Sequence, residues 1–291
     1  LGSTGVIGRR LPVKKIESGM GKLVKGLNEF GIEDAEEAMM TTDKYPKIAI
    51  RRGIVGARDI TICGIAKGAG MIEPNMATLL TYVMTDALID AKALNTVFHQ
   101  AIDSTFNTIS VDGCMSTNDT AIILANGLAG NNPLERAQAR LQRFRDMLSD
   151  VLMELAQAVI KDGEGATKFI SVTVDGAKSR SDARKAAYSI ANSNLVKTAF
   201  FGEDPNWGRI IAALGSSGIP LEKEKISLAI GDLIVFSQDT PVNISVSKLK
   251  EIYQKDRIDV RVQLGGGDKS YCVYTSDLSH DYVKINADYS T

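Results

Sequence analysis

The sequence has 291 residues, 44% hydrophobic and 24% charged, enough for one large or two ordinary domains with an ample core. Lys and Arg number 34 and Asp and Glu 35, a formal charge of −1, so no basic surplus favours nucleic acid or an acidic membrane as partner. Cys63, Cys114 and Cys272 are scattered, no CxxC pair exists, and His99 and His280 are the two histidines. That argues against zinc ligation and a disulfide framework and fits a reducing, cytoplasmic setting.

No apolar run reaches membrane-span length and no signal peptide is recognisable. The chain opens Leu1-Gly2-Ser3, without Met and inside a Gly-rich stretch, which reads either as a processed or truncated start or as missing upstream residues. Ile16, Met20, Leu23, Val24, Leu27 and Phe30 recur at helical intervals and predict a helix over 13–31, with a short one over 33–40 before Thr41-Thr42-Asp43. Residues 47–66 alternate in places and read as two strands broken by Gly53 and Gly56. The loop Lys67–Thr78 then feeds an apolar run, 79–84, that suits a buried strand. A helix is expected over 92–109, a turn at Asp112-Gly113 and a strand over 119–124. From Pro133 a long helix runs through Leu141, Phe144, Leu148, Val151, Leu155 and Val159 to the stop at Asp162-Gly163-Glu164-Gly165.

Residues 169–174 alternate as a strand. Helices are expected over 180–198, 206–214 and 243–253, the second capped by Asp204-Pro205, and strands over 225–236. The stretch 257–285 alternates, with Gly265-Gly266-Gly267 as a hairpin loop between two runs. The order predicts layered α+β or mixed α/β sheets with helices on their faces, and a new αβ set beginning at 170–175 marks a domain boundary.

Lys67–Thr78 is the most informative segment. An internal Thr is a poor nucleophile, but cutting Ala77–Thr78 would give Thr78 a free α-amine. With a pKa of about 7.7–8.0 that amine is partly neutral at pH 7 and can take the proton of its own hydroxyl. A Thr at a strand start after a glycine loop is also an ordinary structural position. Ser3-Thr4-Gly5-Val6-Ile7-Gly8 could aim N–H groups and a hydroxyl at a developing oxyanion, or form a turn at a frayed end; it lacks Walker-loop spacing. Asp162–Gly165 could be a metal or substrate loop or a solvated cap, and Gly265–Gly267 lies between strands rather than at a helix N-terminus. His99 falls in a helix, and no His-based triad is evident.

In order, Ser-Thr-Gly-Val-Ile-Gly, Thr-Thr-Asp, Lys-Gly-Ala-Gly-Met-Ile-Glu-Pro-Asn-Met-Ala-Thr, Asp-Gly-Glu-Gly-Ala-Thr-Lys and Asp-Pro-Asn-Trp-Gly-Arg resemble the ornithine acetyltransferase (glutamate N-acetyltransferase) family, over residues 2 to 291. The resemblance implies a layered αββα sandwich of the aminopeptidase/ornithine-acetyltransferase type over 1–172 and a smaller α+β domain over 173–291 whose tail returns to the site. It implies self-cleavage between Ala77 and Thr78, with the fragments staying together as an α2β2 heterotetramer. Thr78 would take the acetyl group of N-acetylornithine and pass it to glutamate in a ping-pong cycle of arginine biosynthesis; some relatives also use acetyl-CoA as donor. Thr4 and Gly5 match the oxyanion pair. Thr41, Lys67, Thr78, Glu164, Asn286 and Thr291 match substrate-binding positions. No cofactor or metal is implied. Two departures stand out: the hundred or so residues that precede Ser-Thr-Gly in the family are not in this sequence, which suggests an N-terminally truncated form, and Cys114-Met115 stands where the family tends to have Asp-Thr.

Chemistry suggests that Lys67 meets a substrate carboxylate and Glu164 the spare amine of ornithine. Two rival readings remain. An N-terminal-nucleophile aminopeptidase or amidase would pass the acyl group to water, and an inactive binding protein of the same fold would stay uncut.

Overall fold

In the computed structural model, residues 2–73 and 80–288 are described. Ala77, Thr78, Leu79 and Thr291 lie outside them. Two mixed sheets carry the fold. The first has four strands in the order β1 (Ile48–Val55), β2 (Arg58–Lys67), β3 (Leu80–Thr85) and β5 (Thr120–Ala125), with β3 and β5 parallel and the other pairs antiparallel. The second has seven. Its order is β4 (Ile109–Ser110), β11 (Lys269–Ser276), β6 (Phe169–Ala177), β10 (Arg257–Gln263), β7 (Ser227–Ile230), β8 (Leu233–Ser237) and β9 (Thr240–Pro241).

The long helix α4 (Gln138–Lys161) joins the two sheets. Its apolar residues step by three and four, so Phe144, Leu148, Val151, Leu155 and Val159 share one buried face. It packs against β1 and β2 and also touches β4 and β11. Gly64 on β2 permits the close approach: a Cβ there would stand 2.9 Å from Leu155 and 3.0 Å from Val151. Helix α3 (Ala91–Ser104) lies against α4. On the second sheet α5 (Arg180–Ala191) covers β6 and β11, and α6 (Asn194–Phe201), α7 (Gly208–Gly215) and α8 (Val246–Tyr253) complete that core. The chain's last helix is α9 (His280–Asp288).

The opposite face of the four-stranded sheet is apolar and bare. Ile50, Cys63, Met84 and Leu124 are register partners in one row across its strands, and Ile50 and Leu124 are 50% and 60% exposed. Helix α1 (Val13–Lys25) likewise buries none of its side chains, and α2 (Ile32–Met39) buries Glu36 alone.

Several expectations fail for identifiable reasons. The helix expected over 13–31 stops at Lys25, where Gly26 caps it. The helix expected over 92–109 stops at Ser104, because the Thr105 hydroxyl bonds back to the Ala101 carbonyl and the backbone leaves the helical region. The 180–198 helix breaks at Asn192-Ser193, where the Ser193 hydroxyl accepts from the Val196 N–H to begin α6. Asp204-Pro205 does not cap α7, which starts at Gly208 without a side-chain cap. Gly265–Gly267 is not a hairpin loop. β10 and β11 lie on either side of β6, so the glycines cross over the end of that strand, and the N–H groups of Gly266 and Gly267 both donate to the Gly176 carbonyl at 2.8 Å.

Candidate active site

The sequence residues singled out for chemistry come from distant segments, and six of them share one small cavity. Thr4 and Gly5 of the N-terminal segment, Thr41 before β1, Lys67 at the end of β2, Glu164 after α4 and Asn286 on α9 line a space of about 70 Å³. Ala77, Thr78 and Thr291 fall outside the described residues. The chain on either side of Ala77–Thr78 is nevertheless held in the fold. Leu80 is the register partner of Lys67. On the other side, Glu73 accepts from the Ser110 hydroxyl at 3.1 Å and from the Asn192 amide.

Each wall of the cavity has its own support. The Lys67 ammonium donates to the Thr41 hydroxyl at 2.6 Å and stands 3.7 Å from the Asp43 carboxylate. Burial pushes its pKa below the ordinary lysine value, with the Asp43 carboxylate pulling the other way. Across the cavity the buried Glu164 carboxylate accepts from Asn286 Nδ2 at 2.7 Å, and its backbone N–H donates to the Ala69 carbonyl at 2.8 Å. Gly70 lets the two loops meet: a Cβ there would lie 2.5 Å from the Glu164 carboxyl carbon. The Gly5 N–H donates to its neighbour Ser3 Oγ at 3.2 Å, a bond it exchanges if it is to hold an oxyanion.

The sequence reading missed the residues that brace these walls. Asp112 takes the N–H groups of Met71 and Ile72 at 2.8 and 3.0 Å and the Tyr282 hydroxyl at 3.3 Å. Burial, reinforced by that carboxylate, pushes the Tyr282 phenol well above its ordinary pKa, so it stays a neutral donor. Asp43, Lys47 and Asp162 form a fully buried ionic group behind Lys67. Asp43 and Asp162 sit inside quoted motifs; Asp43 lies four residues before Lys47, but Asp162, 115 residues away, is tied to it only by the fold. Cys114 is exposed, and its thiol pKa is raised by partial burial and by Asp112 and Glu73, the opposite of what a nucleophilic cysteine needs.

The model of the ArgJ family matches residues 1–291. The chain belongs to the ArgJ family. Among curated ArgJ family proteins, the arginine biosynthesis bifunctional protein ArgJ of Geobacter sulfurreducens is 51% identical over 290 residues, covering 99% of this chain and 74% of that protein. The mitochondrial protein of the same name from Schizosaccharomyces pombe is 44% identical over 296 residues, covering 99% of this chain and 66% of its own length. The crystal structure of the Bacillus halodurans arginine biosynthesis bifunctional protein argJ superposes with a TM-score of 0.67 at 39% identity, over 70% of this chain and 96% of that one. No helix among the described residues is long and apolar enough to cross a membrane.

Proposed function

We propose that this chain is an acetyltransferase of arginine biosynthesis that moves the acetyl group of N2-acetyl-L-ornithine to L-glutamate through an acetyl-Thr78 ester, after cleaving itself between Ala77 and Thr78. The observation that carries the reading is the cavity itself. A cation, Lys67, and a carboxylate, Glu164, face one small space lined by Thr4 and Gly5, and the strand that follows Thr78 begins beside Lys67. A substrate bearing both an α-carboxylate and a spare amine fits that pair of opposite charges. Family membership agrees with it.

The Thr78 hydroxyl attacks the acetyl carbonyl, its proton passing to the Thr78 α-amine, while Thr4 and Gly5 hold the oxyanion. The C–N bond breaks, the proton goes to the departing ornithine amine, and the ester remains. The amine of glutamate then attacks the ester, and the alkoxide of Thr78 recovers a proton. Transfer to glutamate requires that water be kept from the ester while it stands. The same reading places a domain boundary at 172/173, inside β6, three residues beyond the point where the two apolar clusters part, between Phe169 and Ile170. It gives the bare face of the four-stranded sheet to an αββα layer, the fragments to an α2β2 assembly and the protein to the cytoplasm.

Intact mass spectrometry with and without N-acetylornithine tests the proposal. The expected result is two fragments, the second beginning at Thr78 and gaining one acetyl group on exposure to the donor. A single uncut chain would favour a binding protein. Cleavage with release of acetate to water, and none to glutamate, would favour an amidase.

A further inference from the structure

We infer that Lys47, held between Asp43 and Asp162, is a positioning residue that keeps the Lys67 ammonium free for the carboxylate of the substrate. The inference rests on the role given to Lys67 in the proposed function. The Lys47 side chain and both carboxylates are wholly buried. Its Nζ lies 2.7 Å from Asp43 Oδ1 and 2.6 Å from Asp162 Oδ2, and it also reaches the Tyr45 carbonyl at 3.4 Å. Its three donors are thereby used. The backbone completes the group. Asp43 accepts from the N–H groups of Thr41 and Gly68, both oxygens of Asp162 accept from the Lys44 N–H, and Glu36 accepts from the Lys47 N–H.

Three segments that line the cavity, 41–47, 67–70 and 162–164, are thus tied to one buried cation. Taking such charges out of water is costly, and a buried ion pair is weak evidence for stability. What this one does is visible in the distances. Asp43 is the nearest anion to Lys67, yet it stands 3.7 Å away while its other oxygen holds Lys47. Lys67 therefore bonds the neutral Thr41 hydroxyl and keeps capacity for an incoming carboxylate. With two lysines and two aspartates the group is balanced. Burial raises the pKa of Glu36, which disfavours a third negative charge. Without the charge of Lys47, Asp43 would capture Lys67 and withdraw it from the cavity.

The test compares N2-acetylornithine with its α-carboxamide, which lacks the carboxylate, in wild type and in Lys47→Gln and Lys47→Met. Wild type should prefer the acid in kcat/KM by about 10- to 100-fold, the worth of a charge-assisted hydrogen bond. In folded Lys47 variants that ratio should fall toward one, chiefly through KM for the acid. A residue that merely supports the fold would lower both substrates together, and an unchanged ratio overturns the inference. Asp162→Asn is the control and the fallback should neither Lys47 variant fold. It leaves Lys47 to Asp43 alone, so the melting temperature should fall while the ratio holds. A collapsed ratio there also overturns the inference. A wild type that fails to distinguish acid from amide refutes the role of Lys67 itself, and a wild type without acetyl transfer refutes the proposed function.

Discussion

Gly70→Ala separates the geometry of the cavity from the stability of the fold. Gly70 does not adopt the left-handed backbone, so alanine is permitted there by conformation. The obstacle is Glu164, whose carboxyl carbon and oxygens would lie 2.5–2.6 Å from the new methyl. Ordinary contact begins near 3.4 Å, so the carboxylate must retreat by about 0.9 Å. It is the free end of a side chain and can move. The move strains its 2.7 Å bond to Asn286, at a cost of about 0.5–1.5 kcal/mol, which in a chain of this size lowers the melting temperature by roughly 1–3 °C.

Catalysis should suffer more. A misplacement of about 1 Å at a positioned group costs on the order of 100-fold in rate, equivalent to about 2.7 kcal/mol of barrier. Acetyl exchange between N-acetylornithine and glutamate, measured beside a thermal melt and a denaturing gel, reads both effects on one preparation. We expect kcat/KM to fall by 10- to 100-fold with a small change in melting temperature. Wild-type kcat/KM in a folded Gly70→Ala protein would refute the placement of Glu164 against that loop.

Glu164→Gln should slow acetyl exchange with ornithine far more than it slows cleavage before Thr78; an equal loss of both counts against pairing with the ornithine amine. Lys197, almost wholly enclosed, donates to the Thr275 hydroxyl at 3.0 Å and to the Ser276 carbonyl, and burial lowers its pKa to about 8 from 10.5. Between about pH 8 and 10.5 the unfolded chain holds a proton that the folded one has released. Stability relative to Lys197→Met should therefore rise with pH through that window, by about 3 kcal/mol in full. Denaturant midpoints of both proteins at pH 7.5 and 10 measure it, and a constant difference would refute it. Asp90 caps α3 by accepting from the Lys92 and Ala93 N–H groups, so Asp90→Ala should cost about 1 kcal/mol and leave acetyl transfer intact, as unfolding curves and the exchange assay would show.

Where one element dictates its own pattern, the sequence is readable. The steps from Phe144 to Val159 describe a helix with one apolar face, and α4 buries that face. Pairing between strands is not written locally. The apolar positions of 257–264 and 271–274 suit neighbouring strands, but β6, nearly a hundred residues earlier, lies between them. Helix ends are hard to read where a hydroxyl competes with the backbone, as Thr105 does. The final helix was hidden because Tyr282 and Val283 extend an apparent alternation, whereas Ser279 closes the chain back onto Gly165 at 2.6 Å.

The candidate site divides along the same line. Thr41, Lys67 and Glu164 could be singled out through the resemblance of the short motifs that hold them, and the fold brings all three to one cavity. Lys47 could not be singled out, since its meaning depends on Asp162, 115 residues away. Before folding, Lys47 is one of 34 basic residues, and the nearby Asp43 is only one of its two carboxylates. Folding encloses it with two carboxylates, and only then does the identity of its charge matter. Motifs therefore point to the groups that line the cavity, whereas the charges packed behind them emerge from the meeting of segments far apart in the chain.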